Sequence, residues 1–251
     1  MIIKFNNKKK YSSFFILALC SFFIIGCEKK EEVPAAIPET GTVTDIEGRV
    51  YQTVKIGNQW WMAEDLRVKK YRNGDYILDI GIDPSDSIRW SKDTAGAYCI
   101  NNTYLYYNWY AISSDSTTIA PEGWHIPTDN EWKELEMHLG MSQADADKLN
   151  WRGSHEGEKL KIKSRTTGCW KEHGTVWDTN ESGFTALARG CRLFNSAWAE
   201  PNIACAGFWW SVSESSNKDA YYRHLDYKNS NIFRYSGSKH YGFAIRCVKD
   251  K

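Results

Sequence analysis

The chain is 251 residues long, with a formal net charge of +1 and a charged fraction of 25%. So even a balance lacks the basic surplus that a phosphate-binding surface needs and argues against a nucleic-acid partner. Seven cysteines include no CxxC pair, which argues against a zinc ribbon or a thioredoxin-like dithiol.

Lys4, Lys8, Lys9 and Lys10 precede an apolar run over 14–25, the layout of a secretory signal. Ile24-Ile25-Gly26-Cys27 resembles the bacterial lipobox, in which the cysteine receives a diacylglycerol before cleavage. Residues 11–26 are shorter than the roughly 17–25 apolar residues of a membrane span. Four lysines without an acid ahead of the run also fit poorly with a cytosolic core helix. The expected organisation is therefore a lipoprotein signal peptide over 1–26, a lipidated Cys27 with a flexible tether over 27–41, and one domain over 42–251. Each buried methylene contributes about 0.8 kcal/mol, so two or three acyl chains such as palmitate would hold Cys27 on a bilayer. Removing the four signal-peptide lysines takes the formal charge from +1 to −3.

The tether is charged and proline-spaced, with too little apolar surface to order itself. Its fourteen residues over 28–41 reach at most about 45–50 Å. Lys30-Glu31-Glu32 resembles the surface-export signal of Bacteroidetes lipoproteins, so the expected location is the outer membrane, facing outward. A plain stalk is the other reading.

The 210 residues over 42–251 suffice for one core. Residues 49–56 alternate as a strand, Gly57-Asn58 is a two-residue turn, and 59–62 returns, which predicts a hairpin of the primed-turn kind. A polar, irregular stretch covers 73–86. Its Asp79, Asp83 and Asp86 lack the spacing and glycine of an EF-hand loop and read as solvated. Residues 97–100 read as a strand. Thr128 and Glu131 form a predicted capping box, Trp132, Leu135 and Leu139 line one helix face, and Gly140 stops the helix. A shorter helix is predicted over 142–149, with Asp145 and Asp147 on a polar face. Strands follow over 208–212, 221–225, 231–235 and 243–248. One or two helices among short strands and long loops indicate the α+β class.

Cys20 falls in the apolar run and Cys27 carries lipid, leaving five cysteines in an oxidising setting. At most two bridges form, and spacing alone does not fix them. Cys99–Cys247 is expected because both lie in apolar strand-like segments, and Cys191–Cys205 is the second pairing, with Cys169 left over. The twelve tryptophans and fourteen tyrosines fill a core that has few long helices, or line a binding face.

Several blocks together carry a family resemblance. They are Asp45-Ile46-Glu47-Gly48-Arg49-Val50-Tyr51, Val54-Lys55-Ile56-Gly57-Asn58-Gln59-Trp60-Trp61-Met62-Ala63-Glu64-Asp65-Leu66 and Tyr107-Asn108-Trp109-Tyr110-Ala111. Pro121-Glu122-Gly123-Trp124-His125-Ile126-Pro127-Thr128-Asp129-Asn130-Glu131-Trp132, Asn180-Glu181-Ser182-Gly183-Phe184-Thr185-Ala186-Leu187, Trp209-Trp210-Ser211 and Tyr241-Gly242-Phe243-Ala244-Ile245-Arg246-Cys247-Val248-Lys249-Asp250 follow in order. Over nearly all of 42–251 the chain resembles the Fibrobacter succinogenes major paralogous domain, common in lipoproteins of Bacteroidetes and Fibrobacteres. The resemblance implies a C-type-lectin-like fold, shared with formylglycine-generating enzymes, of short twisted antiparallel strands, one or two helices and long loops. It implies no established activity. Asp65 stands where asparagine is expected, Arg189-Gly190-Cys191 replaces Pro-Gly-Gly, and Cys169, Cys191 and Cys205 are additional.

Glu200-Pro201-Asn202 resembles the tripeptide with which mannose-binding C-type lectins hold Ca²⁺ and sugar hydroxyls. No Trp-Asn-Asp partner motif follows it, so Glu200 and Asn202 are the sole metal candidates and a loop without calcium is the expectation. Cys169 lies near His173, but a nucleophile of that kind needs hydrogen-bond reach and an orienting third group. No formylglycine-type cysteine pair carries over, and Gly-x-Ser-x-Gly, HExxH and P-loop motifs are absent. His125 reads as structural. The expected function is non-catalytic recognition of an extracellular glycan or protein through the region 165–215, with Trp198, Trp209, Trp210, Tyr221, Tyr222 and Arg223 as ligand contacts. The alternatives are a structural component of a surface assembly, or an enzyme related to formylglycine-generating folds.

Overall fold

The predicted hairpin organises the first sheet. Strand β2 (Val50–Ile56) buries Tyr51, Val54 and Ile56, turns at Gly57 with φ +62°, and returns as β3 (Gln59–Met62). Asn58 stays outside the left-handed region, so the turn follows the type II′ rather than the type I′ pattern. Strand β1 (Thr40–Thr44) pairs with β2 on the outer side. On the inner side β3 meets β12 (Val248–Lys249), and β12 meets β7 (Trp124–His125), giving the antiparallel order β1-β2-β3-β12-β7. The last strand of the chain thus sits inside the first sheet.

This computed structural model describes residues 37–113, 117–163, 170, 178–193 and 205–251, together with Met1, the side chains of Pro84 and Ser85 apart. The chain divides into the units Met1–Ala35 and Ala36–Lys251, and every element named here belongs to the second. Cys27, Cys169, Trp198, Glu200 and Asn202 lie outside the described residues. No described helix is long and apolar enough to cross a membrane.

The second sheet is antiparallel, in the order β8 (Asn150–Arg152), β11 (Ile232–Ser238), β10 (Asp219–Asp226), β9 (Ala206–Glu214). The third has β4 (Leu78–Asp79) parallel to β5 (Ala97–Asn101), which is antiparallel to β6 (Tyr104–Tyr107). Residues 242–247 stitch the three together. Phe243 bridges Tyr107, Ala244 bridges Trp209, and the carbonyls of Ile245 and Cys247 accept from the Leu66 and Met62 amides. The expected strand over 243–248 is therefore a series of single bridges to different sheets, with ladder pairing only at β12.

Helix α2 (Asp129–His138) has the predicted capping box between Thr128 and Glu131, and Trp132 and Leu135 are buried. Gly140, at φ +118°, follows its last turn. The predicted shorter helix is α3 (Gln143–Ala146), capped by Ser142. Two helices were not predicted. The 73–86 stretch passes into α1 (Pro84–Lys92), where Asp83-Pro84 reads as a turn but places proline at the first helical position, whose amide needs no partner. Trp90 anchors that helix, fully buried, its indole N–H donating to the His240 carbonyl at 2.5 Å. Helix α4 (Glu156–Leu160) is a single turn whose Gly157 amide donates to Ser230 O at 2.7 Å. The class is α+β, dominated by sheet.

Tryptophans supply the largest side chains of the core. Trp61, Trp132 and Phe184 pack mutually, with ring centroids 4.8–5.9 Å apart. Buried indole N–H groups donate to distant carbonyls, as from Trp109 to Ser211, Trp132 to Trp210 and Trp210 to Tyr107. Each such residue therefore supplies apolar area and a directional tie between elements.

The two expected disulfides do not form. Cys99, Cys191 and Cys247 are buried thiols, and no pair among the described residues is bridged. Cys99 packs with Ile80, Trp90, Ala97 and Tyr106, whereas Cys247 belongs to the separate cluster around Tyr51 and Tyr107. Apolar strand character located these residues in the core but not on the same side of it. Burial pushes the Cys99 thiol up to about 11, against a hydrogen bond with Arg192, and pushes Cys191 up to about 12. With Cys191 unbridged, the Cys191–Cys205 pairing fails as well.

Candidate functional site

The two faces of the second sheet have different chemistry, because side chains alternate along each strand. The inner face carries Arg152, Arg223 and Arg234 against α2. Arg152 Nη2 and Arg223 Nε both donate to the Glu136 carboxylate at 2.5 Å. Arg223 Nη1 donates to Asp129 Oδ1 at 2.8 Å and Arg234 Nη2 to Oδ2 at 2.7 Å. All five residues are buried. Burial alone would raise the Asp129 carboxyl, but Arg234 and Arg223 outweigh it and hold the group well below the usual range. This network fastens helix to sheet with both carboxylates fully engaged, and among the described residues its one buried group without an acceptor is Arg152 Nε.

The outer face is aromatic. In register across β8, β11, β10 and β9 stand Trp151, Phe233, His224 and Phe208. Their ring centroids are 5.2, 5.6 and 4.2 Å apart in that order. Three strand spacings make the row about 14 Å long. Tyr235 and Tyr222 stand in the neighbouring row, and Phe243 packs on the same side, 5.3 Å from Phe208 and 5.0 Å from Tyr222, so that the Phe208 end of the row adjoins the core. Trp151 is 36% and Tyr235 43% exposed, while Phe208, Tyr222, His224, Phe233 and Tyr241 are half-buried. Desolvation pushes His224 down to about 4, so at neutral pH its imidazole is uncharged and carries one donor and one acceptor nitrogen. The surface can stack planar or apolar faces of a ligand and offers hydroxyl and imidazole edges for hydrogen bonding.

Of the ligand contacts expected from the sequence, Trp198 lies outside the described residues, and among the described ones Tyr222 and Trp210 stand opposite each other on this face. Trp209 lies on the inner face with its indole N–H on Asp65 at 2.9 Å, and Trp210 is fully buried, 4.4 Å from Phe243. Arg223 is spent in the buried network, and Tyr221 sits inside, with the Arg234 guanidinium 4.5 Å from its ring. Neither Trp209, Trp210 nor Arg223 presents a surface to a ligand: strand parity turns Trp209 and Arg223 to the inner face, while Trp210 stands on the aromatic face but is fully buried against Phe243. Sequence reading missed Trp151, Phe208, His224, Phe233 and Tyr235. Alternation in Phe233-Arg234-Tyr235 marked one aromatic and one basic face, but the three-residue β8 gave no strand signal.

His125 bridges β7 to α2 and the chain end, with Nε2 2.8 Å from Glu131 and Nδ1 2.6 Å from Asp250. Glu131 above all raises its pKa. Because Glu131 also closes the capping box, these contacts tie down a helix start. Asp145 and Asp147 lie on the solvent side of α3, paired with Lys148 and Lys133 at 2.7 Å. Among the described residues no three His, Cys, Asp or Glu side chains converge as a metal site requires.

These features define an α+β domain with a buried arginine network behind one sheet and an aromatic platform in front of it. Residues 54–249 match the Fibrobacter succinogenes major domain, and the chain belongs to that family. Comparison with curated proteins and with solved structures finds no match.

Proposed function

We propose that this protein is a lipid-anchored recognition module of the cell envelope whose aromatic platform binds an extracellular glycan. The observation that carries the reading is the four-ring row Trp151–Phe233–His224–Phe208, open at its Trp151 end and spanning a whole sheet. A core does not need an exposed tryptophan beside an exposed tyrosine, whereas stacking on sugar rings does. The family's fold is taken as C-type-lectin-like, and the lipobox ending at Cys27 supports attachment at the outer membrane with the domain facing outward. The function is binding rather than catalysis, and the Glu200-Pro201-Asn202 loop is the place for Ca²⁺ if the module uses it.

A glycan array probed with the full chain in detergent, with Ca²⁺ and with chelator, tests this. Selective binding is expected, and Trp151→Ala and Tyr235→Ala should each weaken it about tenfold, equivalent to about 1.4 kcal/mol. Binding lost on chelation would make Glu200 and Asn202 site residues. A blank array would overturn the glycan reading and leave a protein ligand or a structural role. Protease shaving of intact cells should degrade the domain.

A further inference from the structure

A second concavity lies apart from the aromatic platform, between the Ala63–Arg67 segment, β6 and the 185–189 segment. Its volume is about 140 Å³, and Leu66, Leu105, Ile162, Leu187 and Ala244 contribute an apolar lining. An apolar cavity of about 150 Å³ accepts a benzene ring. Its charged groups are Glu64, Asp65, Arg67 and Arg189. Glu64 accepts from Arg67 at 3.2 Å and from the Gln52 amide at 2.9 Å. Asp65 accepts from Arg246 at 2.6 Å and from Trp209 at 2.9 Å. Each acid in the lining is thus already neutralised.

Arg189 is not neutralised. Its guanidinium carbon stands 4.1 Å from the centroid of Tyr104, another lining residue, and its Nε is buried without an acceptor. Among the described residues no carboxylate or carbonyl receives its N–H groups. The position is nevertheless held firmly: the Tyr106 hydroxyl donates to Arg189 O at 2.6 Å, and the Gly190 amide to Ala206 O at 2.8 Å. Thr185, in the same lining, holds a left-handed backbone at φ +58°, costly for a β-branched residue. Asn180 Oδ1 accepts its amide at 2.8 Å and keeps it there. A preset, unpaired guanidinium beside a ring-sized apolar cavity is suited to a planar carboxylate, whose two oxygens match its fork.

We propose that this pocket binds a small monocarboxylate with a flat or branched apolar body, the carboxylate on Arg189 and the body against Leu66, Leu105 and Leu187. The inference is independent of the glycan reading, since the pocket shares no residue with the aromatic platform.

Calorimetric titration of the full chain in detergent with benzoate, benzamidine and N-acetylphenylalanine tests it. Benzoate should bind saturably, and benzamidine, of the same shape and opposite charge, should not. Binding of N-acetylphenylalanine in preference to benzoate would assign the site to peptide chain ends rather than free acids. Arg189→Gln should weaken the carboxylate at least tenfold, with Arg189→Lys in between, while near-UV circular dichroism stays unchanged. Saturable binding of neither carboxylate to the folded chain, equal affinity in Arg189→Gln, or preference for benzamidine would each overturn the proposal. Should Arg189→Gln fail to fold, the benzoate-against-benzamidine comparison on the unaltered chain still decides.

Discussion

Glu136 is wholly buried, and its two oxygens take one guanidinium each, from Arg152 and Arg223. Removing that carboxylate strands the buried Arg152 cation and leaves Arg223 with Asp129 alone, so Glu136→Ala should cost about 3–5 kcal/mol, read as a lowered midpoint in urea unfolding. Two histidines give stability opposite pH dependences. His224 titrates near 4 in the folded chain against about 6.5 unfolded. The unfolded chain therefore takes up a proton first, and stability present above pH 6.5 is lost as pH falls toward 4. His125 is raised by Glu131 and Asp250, so its contribution is complete below pH 6.5 and lost as pH rises through its folded pKa. Thermal midpoints across pH 4–8 should show both limbs. His224→Phe should flatten the acid one, and His125→Asn the neutral one. The burial of Trp209, Trp210 and Arg223 could not be read from residue type, because aromatic and basic side chains suit a core tie and a ligand face equally.

At the scale of elements, the local signals that specified structure were those completed within a few residues. The Gly57-Asn58 hairpin and the Thr128–Glu131 capping box formed as predicted because turn and cap hydrogen bonds close over two to four positions. Thr128→Ala should accordingly destabilise the chain by about 0.5–2 kcal/mol in denaturant unfolding. Helices α1 and α4 escaped prediction because each lacks a side-chain cap and is held by a distant partner: Trp90 by the His240 carbonyl, Gly157 by the backbone at residue 230. A Cβ on Gly157 would collide with the carbonyls of Asn231 and Ser230. Gly157→Ala should therefore cost about 1–3 kcal/mol through overpacking, measured the same way. The platform escaped for a related reason, since one of its four strands is only three residues long and exists through β11.

Over the whole molecule, the 242–249 segment holds the three sheets together. Deleting residues 248–251 removes β12 from between β3 and β7, and the Asp250 partner of His125 with it. Circular dichroism of that truncation should show loss of the cooperative thermal transition, not a small shift in its midpoint. The thiols report the same compactness: Cys99, Cys191 and Cys247 should resist iodoacetamide in the native chain and react in urea without reductant. The sequence by itself determined the α+β class, the aromatic core, the capped helix, the first hairpin and membership of the family, because periodicity, caps and ordered motif blocks are written locally. Only the tertiary structure decided which cysteines stay apart, which aromatic residues face outward and where an arginine is left unpaired. Those outcomes depend on strand parity and register between segments as far apart in the chain as Cys99 and Cys247, and no local pattern encodes such distances.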